Sequence, residues 1–216
     1  MATASSKIYQ KISADIISGL IKPGQKLDEK SIASQFGVSR TPIREVFRQL
    51  STAGLVESKP HKGVTVVNFD IEELADMYEA LEEFESLCAR LSAERMTAVE
   101  RKQLARLHEE SKLCMEQQDL ARFAELNDQF HQAIYRGSRN KTLAKTIETL
   151  RLRLTPFRQP WLFRERNRIE TSYNEHARLT EAIQAGDPVR AFEAMRHHTS
   201  NTSLLTIDYL TNKKSG

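Results

Sequence analysis

The sequence predicts a mainly α-helical protein: a small N-terminal domain of helices and one hairpin, followed by an all-helical bundle of six or seven helices. Three observations lead there. Only eight Gly and six Pro occur in 216 residues, too few for an all-β design that turns about every ten residues. Apolar residues recur at three- and four-residue intervals over most of the chain. One short stretch, residues 55–67, reads instead as two strands around a basic tip. The hydrophobic fraction of 39% suffices for a core. A mean hydropathy of −0.52, with no apolar run near the ~18 residues of a spanning helix, points away from a membrane protein. The N-terminal Met-Ala-Thr-Ala-Ser-Ser has no basic region and no apolar core, so no signal peptide is expected. Cys88 and Cys114 lack CxxC spacing, which argues against disulfide or cysteine–zinc scaffolds and for a cytoplasmic protein.

The first domain is expected over residues 1–69. Ile8, Ile12, Ile16 and Leu20, with Tyr9 and Ile17 beside them, form one apolar helix face. Lys22-Pro23-Gly24 breaks that pattern. A short helix is expected over Glu29–Phe36, burying Ile32, Ala33 and Phe36. Gly37 follows where a helix end needs left-handed φ. Ser39 is placed as the N-cap of the next helix, and Pro42 falls in its first turn, where a missing N–H costs nothing. That helix runs to about Ala53 and stops at Gly54. Leu55–Ser58 and Val64–Val67 read as strands, joined by the basic tip Lys59-Pro60-His61-Lys62-Gly63.

Helix, short turn, helix is the helix-turn-helix pattern, and the basic hairpin is its wing. Ile43, Val46, Phe47 and Leu50 form the buried stripe of the second helix. Arg40, Arg44 and Arg48, four residues apart, form a basic ridge outside it. The arginine fork bonds two acceptors at once, which suits phosphates and guanine edges. The charge agrees. Residues 1–69 carry ten Lys/Arg against five Asp/Glu, whereas residues 70–216 carry 22 against 24. A basic domain on an acidic one points to polyanion binding by the first alone.

Residues 7–67 resemble the N-terminal domain of the GntR family of bacterial transcription regulators. The segments that carry the likeness are Ile21–Leu27, Ile32–Glu45 (IASQFGVSRTPIRE) and Leu50…Gly54-Leu55-Val56. The resemblance implies DNA contacts from Lys30, Ser39, Arg40, Thr41, Arg44, His61, Lys62 and Gly63. Members usually carry Arg where this chain has Lys30; Lys holds a phosphate but gives up bidentate base reading.

The second domain, residues 70–211, reads as all-helical, with 212–216 a frayed tail. Asp70 with Glu73 resembles a capping box. Leu74, Tyr78, Leu81, Phe84, Cys88 and Leu91 give a long helix to about Met96. Thr97 caps a second helix with Leu104, Leu107 and Leu113. Asp119 opens a third, with Phe123, Leu126, Phe130 and Ile134. Thr142–Phe157 forms a fourth, with Pro156 and Pro160 breaking the chain there. Residues 161–185 supply one or two more, ended by Gly186-Asp187-Pro188. Pro188 to about Tyr209 is the last. Short loops between amphipathic helices make a bundle.

Six histidines occur, at 61, 108, 131, 176, 197 and 198. His108 has no partner pattern, and His197 lies on the wetter side of its helix. His131, one turn after Asn127, borders the stripe of Phe123, Phe130 and Ile134. His176 shares a face with Tyr173, Leu179 and Ile183, and His198 with Ala191, Met195 and Leu205. Three inward His on three helices can converge on one point. Each could also be an ordinary hydrogen-bonded core residue.

Here the chain is similar to the FCD domain of the FadR-like subfamily, through Leu126–Ile134, Glu175-His176 and Ala185-Gly186-Asp187…Met195–His198. The resemblance implies a divalent ion, such as Zn or Ni, held by Asn127, His131, His176 and His198. Open positions on such an ion could take the carboxylate of a small organic or sugar acid. Many members place an Arg about four residues before the Glu matching Glu85. This chain has Leu81-Glu82-Glu83-Phe84 there, leaving Arg151 and Arg153 as substitute effector contacts.

The expected function is a non-enzymatic transcription regulator, a repressor in its simplest form. A homodimer would bind a palindromic duplex operator with two recognition helices about one DNA turn (~34 Å) apart. An effector favouring one arrangement would shift operator affinity. The alternative is a metal-dependent hydrolase using the His cluster. Its only local general base is Asp128, turned ~100° from the ligand face. A purely structural metal is the third reading.

Overall fold

The computed structural model describes residues 4–59, 63–158 and 167–214. They fall into two compact units, Met1–Glu72 with Thr149–Pro160, and Glu73–Glu148 with Trp161–Gly216.

In the first unit, α1 (Ala4–Ile17), α2 (Glu29–Phe36) and α3 (Arg40–Thr52) are joined by a small antiparallel sheet of β1 (Lys26–Leu27), β2 (Val56–Lys59) and β3 (Gly63–Val66) in the order β1-β3-β2. The hairpin strands lie about one residue from their expected places, pairing Val56 with Val66 and Lys59 with Gly63. The two-residue strand β1 lay hidden in the loop after the Pro-Gly break. Its Leu27, paired with Val64, is buried. Ile8, Ile12 and Ile16 of α1 pack on Ile43, Val46, Phe47 and Leu50 of α3, together with Leu55, Val56 and Val66. Leu20 is a correction: α1 ends at Ile17, Gly19 turns the chain at φ 77°, and Leu20 is left 72% exposed.

The helix-turn-helix follows from local chemistry. Asp28 caps α2 by accepting from the Ser31 N–H at 2.7 Å. Gly37 closes α2 at φ 64°, a conformation that strains any residue with a Cβ. Ser39 takes the extended N-cap backbone of α3, yet its hydroxyl makes no cap bond. The reason lies three residues on. An N-cap oxygen normally bonds the N–H of the second or third helical residue, and the third here is Pro42, which has none.

The second unit is built from α4 (Ile71–Arg95), α5 (Ala98–Gln117), α6 (Leu120–Gly137), α7 (Lys141–Arg158), α8 (Arg168–Ala185) and α9 (Pro188–Lys214), except that residues 71–72 of α4 and 149–158 of α7 group with the first unit. Helix α5 packs against α6 and α8, and α8 against α9. Thr97 and Glu100 form a reciprocal capping box on α5, and Asp119 caps α6. The core takes Leu74, Tyr78, Leu81 and Cys88 from α4, Leu104 and Leu107 from α5, Phe123, Leu126, Phe130 and Ile134 from α6, and Leu179 and Ile183 from α8. Helices α4 and α6 cross closely: Ser92 Oγ donates to the Ile134 carbonyl at 2.5 Å, and a Cβ on Gly137 would stand 2.7 Å from Met96 Cγ.

Three expectations for this region change. Leu113 is 56% exposed, because the buried stripe of α5 continues from Leu107 through Ser111 and Cys114. Pro156 does not break α7, which runs on to Arg158 with Leu154, Pro156 and Phe157 all buried. Burial of these side chains offsets the one helix bond a proline removes. The expected tail is helical to Lys214, five residues past Tyr209.

Candidate functional site

Two sites emerge, one in each unit. On the first, Ser39, Arg40, Thr41 and Arg44 are exposed on the opening turns of α3, with Lys30 exposed in the first turn of α2. Because Pro42 lacks an N–H and Ser39 does not cap, the first-turn N–H groups of α3 have no side-chain cap. Such a helix start favours an anion. Gly63 is exposed at the start of β3 with φ 80°. His61 and Lys62, expected at the wing tip, lie outside the described residues.

The arginine ridge is less uniform than its spacing implies. Arg44 Nε donates to both carboxylate oxygens of Glu29 at 3.1 Å, and Arg48 bonds Glu45 at 2.7 and 3.0 Å. The Arg48 hydrogen bond, helped by Gln49, holds the Glu45 carboxyl at about 2. Arg40 has no ion pair among the described residues. Beside the ridge lies a cleft of about 450 Å³ between α3 and the sheet, floored by Phe47, Val56 and Val64 and rimmed by Glu29, Arg44, Arg48, Ser51, Thr52 and Ser58. The hydroxyl groups of this rim escaped the sequence reading, because Ser and Thr near a helix end look like ordinary surface.

In the second unit, His131 on α6, His176 on α8 and His198 on α9 are all buried, and each offers a ligand atom within 4.8 Å of the others. The rings of His131 and His198 lie 5.1 Å apart, those of His176 and His198 4.7 Å, and those of His131 and His176 5.3 Å. His176 is fixed by stacking on Phe130, 4.3 Å between centroids. Asn127 is buried one turn before His131. His108 stacks on Tyr173 at 4.3 Å outside the cluster, and His197 is exposed.

Burial keeps His198 below its ordinary pKa despite the Glu175 carboxylate beside it, so the ring is neutral at pH 7, the form a metal requires. Two ligands of a tetrahedral zinc ion, each about 2.0–2.1 Å from it, sit about 3.3 Å apart. The Nε2 atoms of His131 and His198 are separated by 3.2 Å. Three imidazoles with such spacing fit a borderline divalent ion.

Polar side chains back the cluster. Glu85, almost fully buried on α4, accepts from the Tyr135 hydroxyl and from Thr199 Oγ1 at 2.7 Å. Tyr135 Oη lies 3.3 Å from His131 Nδ1. Glu175 accepts from His198 Nδ1 at 2.7 Å, Asn201 at 2.7 Å and Arg168 at 3.1 Å. Burial alone would raise the Glu175 pKa, but His198, Arg168 and Asn201 together hold it at about 2. Arg168 is the main residue the sequence reading missed. It sits in the basic run RERNR and looks solvated. Its signal is the i, i+7 spacing to Glu175, which places both on one face of α8. Arg151 and Arg153 fall in the Thr149–Pro160 segment of the first unit, where the Arg153 guanidinium carbon stands 4.8 Å over the Phe69 ring.

Comparison with known proteins fits this arrangement. Residues 4–66 match the bacterial regulatory proteins of the gntR family, and residues 76–201 match the FCD domain. The chain is 31% identical over 205 residues to the Escherichia coli transcriptional repressor GlaR, covering 92% of this chain and 93% of GlaR. It is 28% identical over 199 residues to the E. coli repressor RspR, covering 92% and 87%. The solved structure of E. coli McbR/YncC superposes with a TM-score of 0.74 at 25% identity, covering 99% of this chain and 100% of that one. These are regulators and not enzymes, and nothing in them supports a hydrolase. With a gntR-type N-terminal part and an FCD domain after it, the chain belongs to the GntR family of transcriptional regulators, with the FCD domain of its FadR-like branch.

Proposed function

We propose that the chain is a metabolite-responsive repressor that binds a palindromic operator as a homodimer. GlaR and RspR are repressors by name, which supports that sign of regulation. Arg40, Thr41 and Arg44 enter the major groove, Ser39 and Lys30 hold phosphates, and the wing residues His61, Lys62 and Gly63 reach the backbone beside them. Dimerisation sets the half-site spacing.

The second unit holds a divalent ion through His131, His176 and His198, with Asn127 as the fourth ligand, and Zn or Ni suits this set. The observation that carries the reading is the approach of the three buried imidazoles from α6, α8 and α9. Bound there, the ion supplies a Lewis-acidic position for an anionic oxygen. Three neutral rings and a carboxamide leave its charge open to a carboxylate, so the effector is a small organic or sugar acid. By linkage, the effector and the operator alter each other's affinity by the same factor.

The test is a set of three measurements on the full chain. Mobility shift on a footprinted operator should weaken with Arg40→Ala and Arg44→Ala. Light scattering should give twice the chain mass. A thermal-shift screen of organic and sugar acids should find a hit with Zn- or Ni-loaded protein that disappears in His176→Ala. Metal that stabilises the fold while no acid changes operator binding would reduce the ion to a structural part.

A further inference from the structure

Two buried hydrogen-bond chains reach the histidine cluster from behind, and each dictates where a proton sits. The Tyr135 hydroxyl has one proton and donates it to Glu85. Toward His131 Nδ1 the same oxygen can only accept. His131 therefore carries its proton on Nδ1 and a bare lone pair on Nε2. On the other side, Glu175 is an acceptor bonded by Asn201, Arg168 and His198 Nδ1. His198 therefore also carries its proton on Nδ1, leaving Nε2 bare.

The consequence is two Nε2 lone pairs facing each other across 3.2 Å with no proton to share. Neutral imidazoles would ordinarily relieve this by one ring switching tautomer and forming an N–H···N bond. Here switching either ring would turn a bare Nδ1 lone pair toward the Tyr135 oxygen or the Glu175 carboxylate, setting acceptor against acceptor in a buried site. The backing groups are themselves fixed. Thr199 holds Glu85 at 2.7 Å, and Arg168 also donates to Thr202 at 2.8 Å.

We propose that Tyr135 with Glu85, and Glu175 with Arg168, are positioning residues that lock His131 and His198 as Nδ1–H tautomers, so that both Nε2 lone pairs are presented together to one divalent cation. This rests on reading the cluster as a metal centre. The site is thus set for a cation before any arrives. Neighbouring carboxylates and hydroxyls that fix imidazole tautomers in this way raise affinity by about 10–100-fold.

The experiment uses the full chain freed of metal by chelator. Long-range ¹H–¹⁵N spectra of the imidazoles, assigned with His131→Gln and His198→Gln, should show protonated Nδ1 and bare Nε2 on both rings. Tyr135→Phe removes the acceptor from His131. Its tautomers should then mix, and Zn²⁺ affinity by competition titration should fall about 10–100-fold. Glu175→Gln keeps a carbonyl acceptor and should retain most of the affinity and the tautomer. Glu175→Leu with Arg168→Met removes acceptor and cation together and should retain neither. A wild-type spectrum with Nε2–H on either ring overturns the proposal without needing any variant to fold. Unchanged tautomer and Zn²⁺ affinity in a folded Tyr135→Phe protein overturns it as well. Locked tautomers in a wild-type chain that binds no Zn²⁺, Ni²⁺ or Co²⁺ would overturn the metal reading and leave the tautomer assignment standing.

Discussion

Arg44 and Glu29, fifteen residues apart in the chain, meet side by side between α3 and α2, the arginine Nε bonding both carboxylate oxygens at 3.1 Å. A guanidinium gripped along its Nε edge keeps a fixed plane, which is the condition for reading a base edge rather than drifting among phosphates. Arg44→Ala should therefore lower operator affinity by about 1–3 kcal/mol. Glu29→Gln removes a negative charge from the same surface and frees the arginine. Binding to random-sequence duplex should strengthen, and the ratio of operator to random affinity should fall. Fluorescence anisotropy on both duplexes checks this; a ratio unaffected by Glu29→Gln would remove any role for the pairing.

Metal removal gives the second expectation. A ligand that binds only the folded state adds about 2.7 kcal/mol when present at a hundred times its Kd. Excess chelator should therefore lower the Tm of wild type, and Zn²⁺ should restore it. His176→Ala should show one Tm in both conditions, at or below that of chelated wild type, because the substitution also removes a buried ring stacked on Phe130. A Tm indifferent to chelator and to added Zn²⁺ or Ni²⁺ would contradict the site.

Acid should weaken the metal-free protein in two stages. Burial depresses His198 below its ordinary 6.5, so the unfolded chain binds its proton first. The stability this group contributes is present above pH 6.5 and is lost as pH falls below it. His108, also depressed by burial, adds in the same direction. Glu175, lowered from 4.5 to about 2, contributes stability that is present above 4.5 and lost between 4.5 and 2. Urea midpoints measured in chelator at pH 8, 6, 5 and 4 should fall steadily. A midpoint that rises on acidification would refute the assignment.

The thiol of Cys88 should be inert. Burial pushes it up to about 11, against a lowering contact with Ser138, and it is fully buried. A thiol-specific disulfide reagent should modify Cys88 only after urea is added; rapid reaction in native buffer would mean that α4 opens locally.

Much of this was readable from residue types and spacing. The turn at Gly37, the cap at Thr97 and the stripe of Ile43, Val46, Phe47 and Leu50 depend on neighbours three or four residues away, and each stands where expected. The inward faces of His131, His176 and His198 followed from helical period in the same way. What escaped the sequence depends on partners distant in the chain. Strand β1 exists because Lys26 and Leu27 meet Thr65 and Val64. Glu85 on α4 is a buried acid because Tyr135 and Thr199 supply donors from two other helices. Arg168 is buried because Glu175 and Thr202 complete its bonds. Read alone, Glu85 and Arg168 are indistinguishable from solvated charges, since Glu and Arg are seldom buried without partners.

Helix α9, 27 residues from Pro188 to Lys214, has a last consequence. Its inner face carries His198, Thr199, Thr202 and Thr206, each bonded to a side chain on α4, α6 or α8. One extra residue inserted between Pro188 and His198 would rotate everything beyond it by about 100°, withdrawing a ring and three hydroxyls in a single stroke. Natural variants of this chain should tolerate length changes around Gly186 and after Lys214, and none in the ten residues that lead into the histidine.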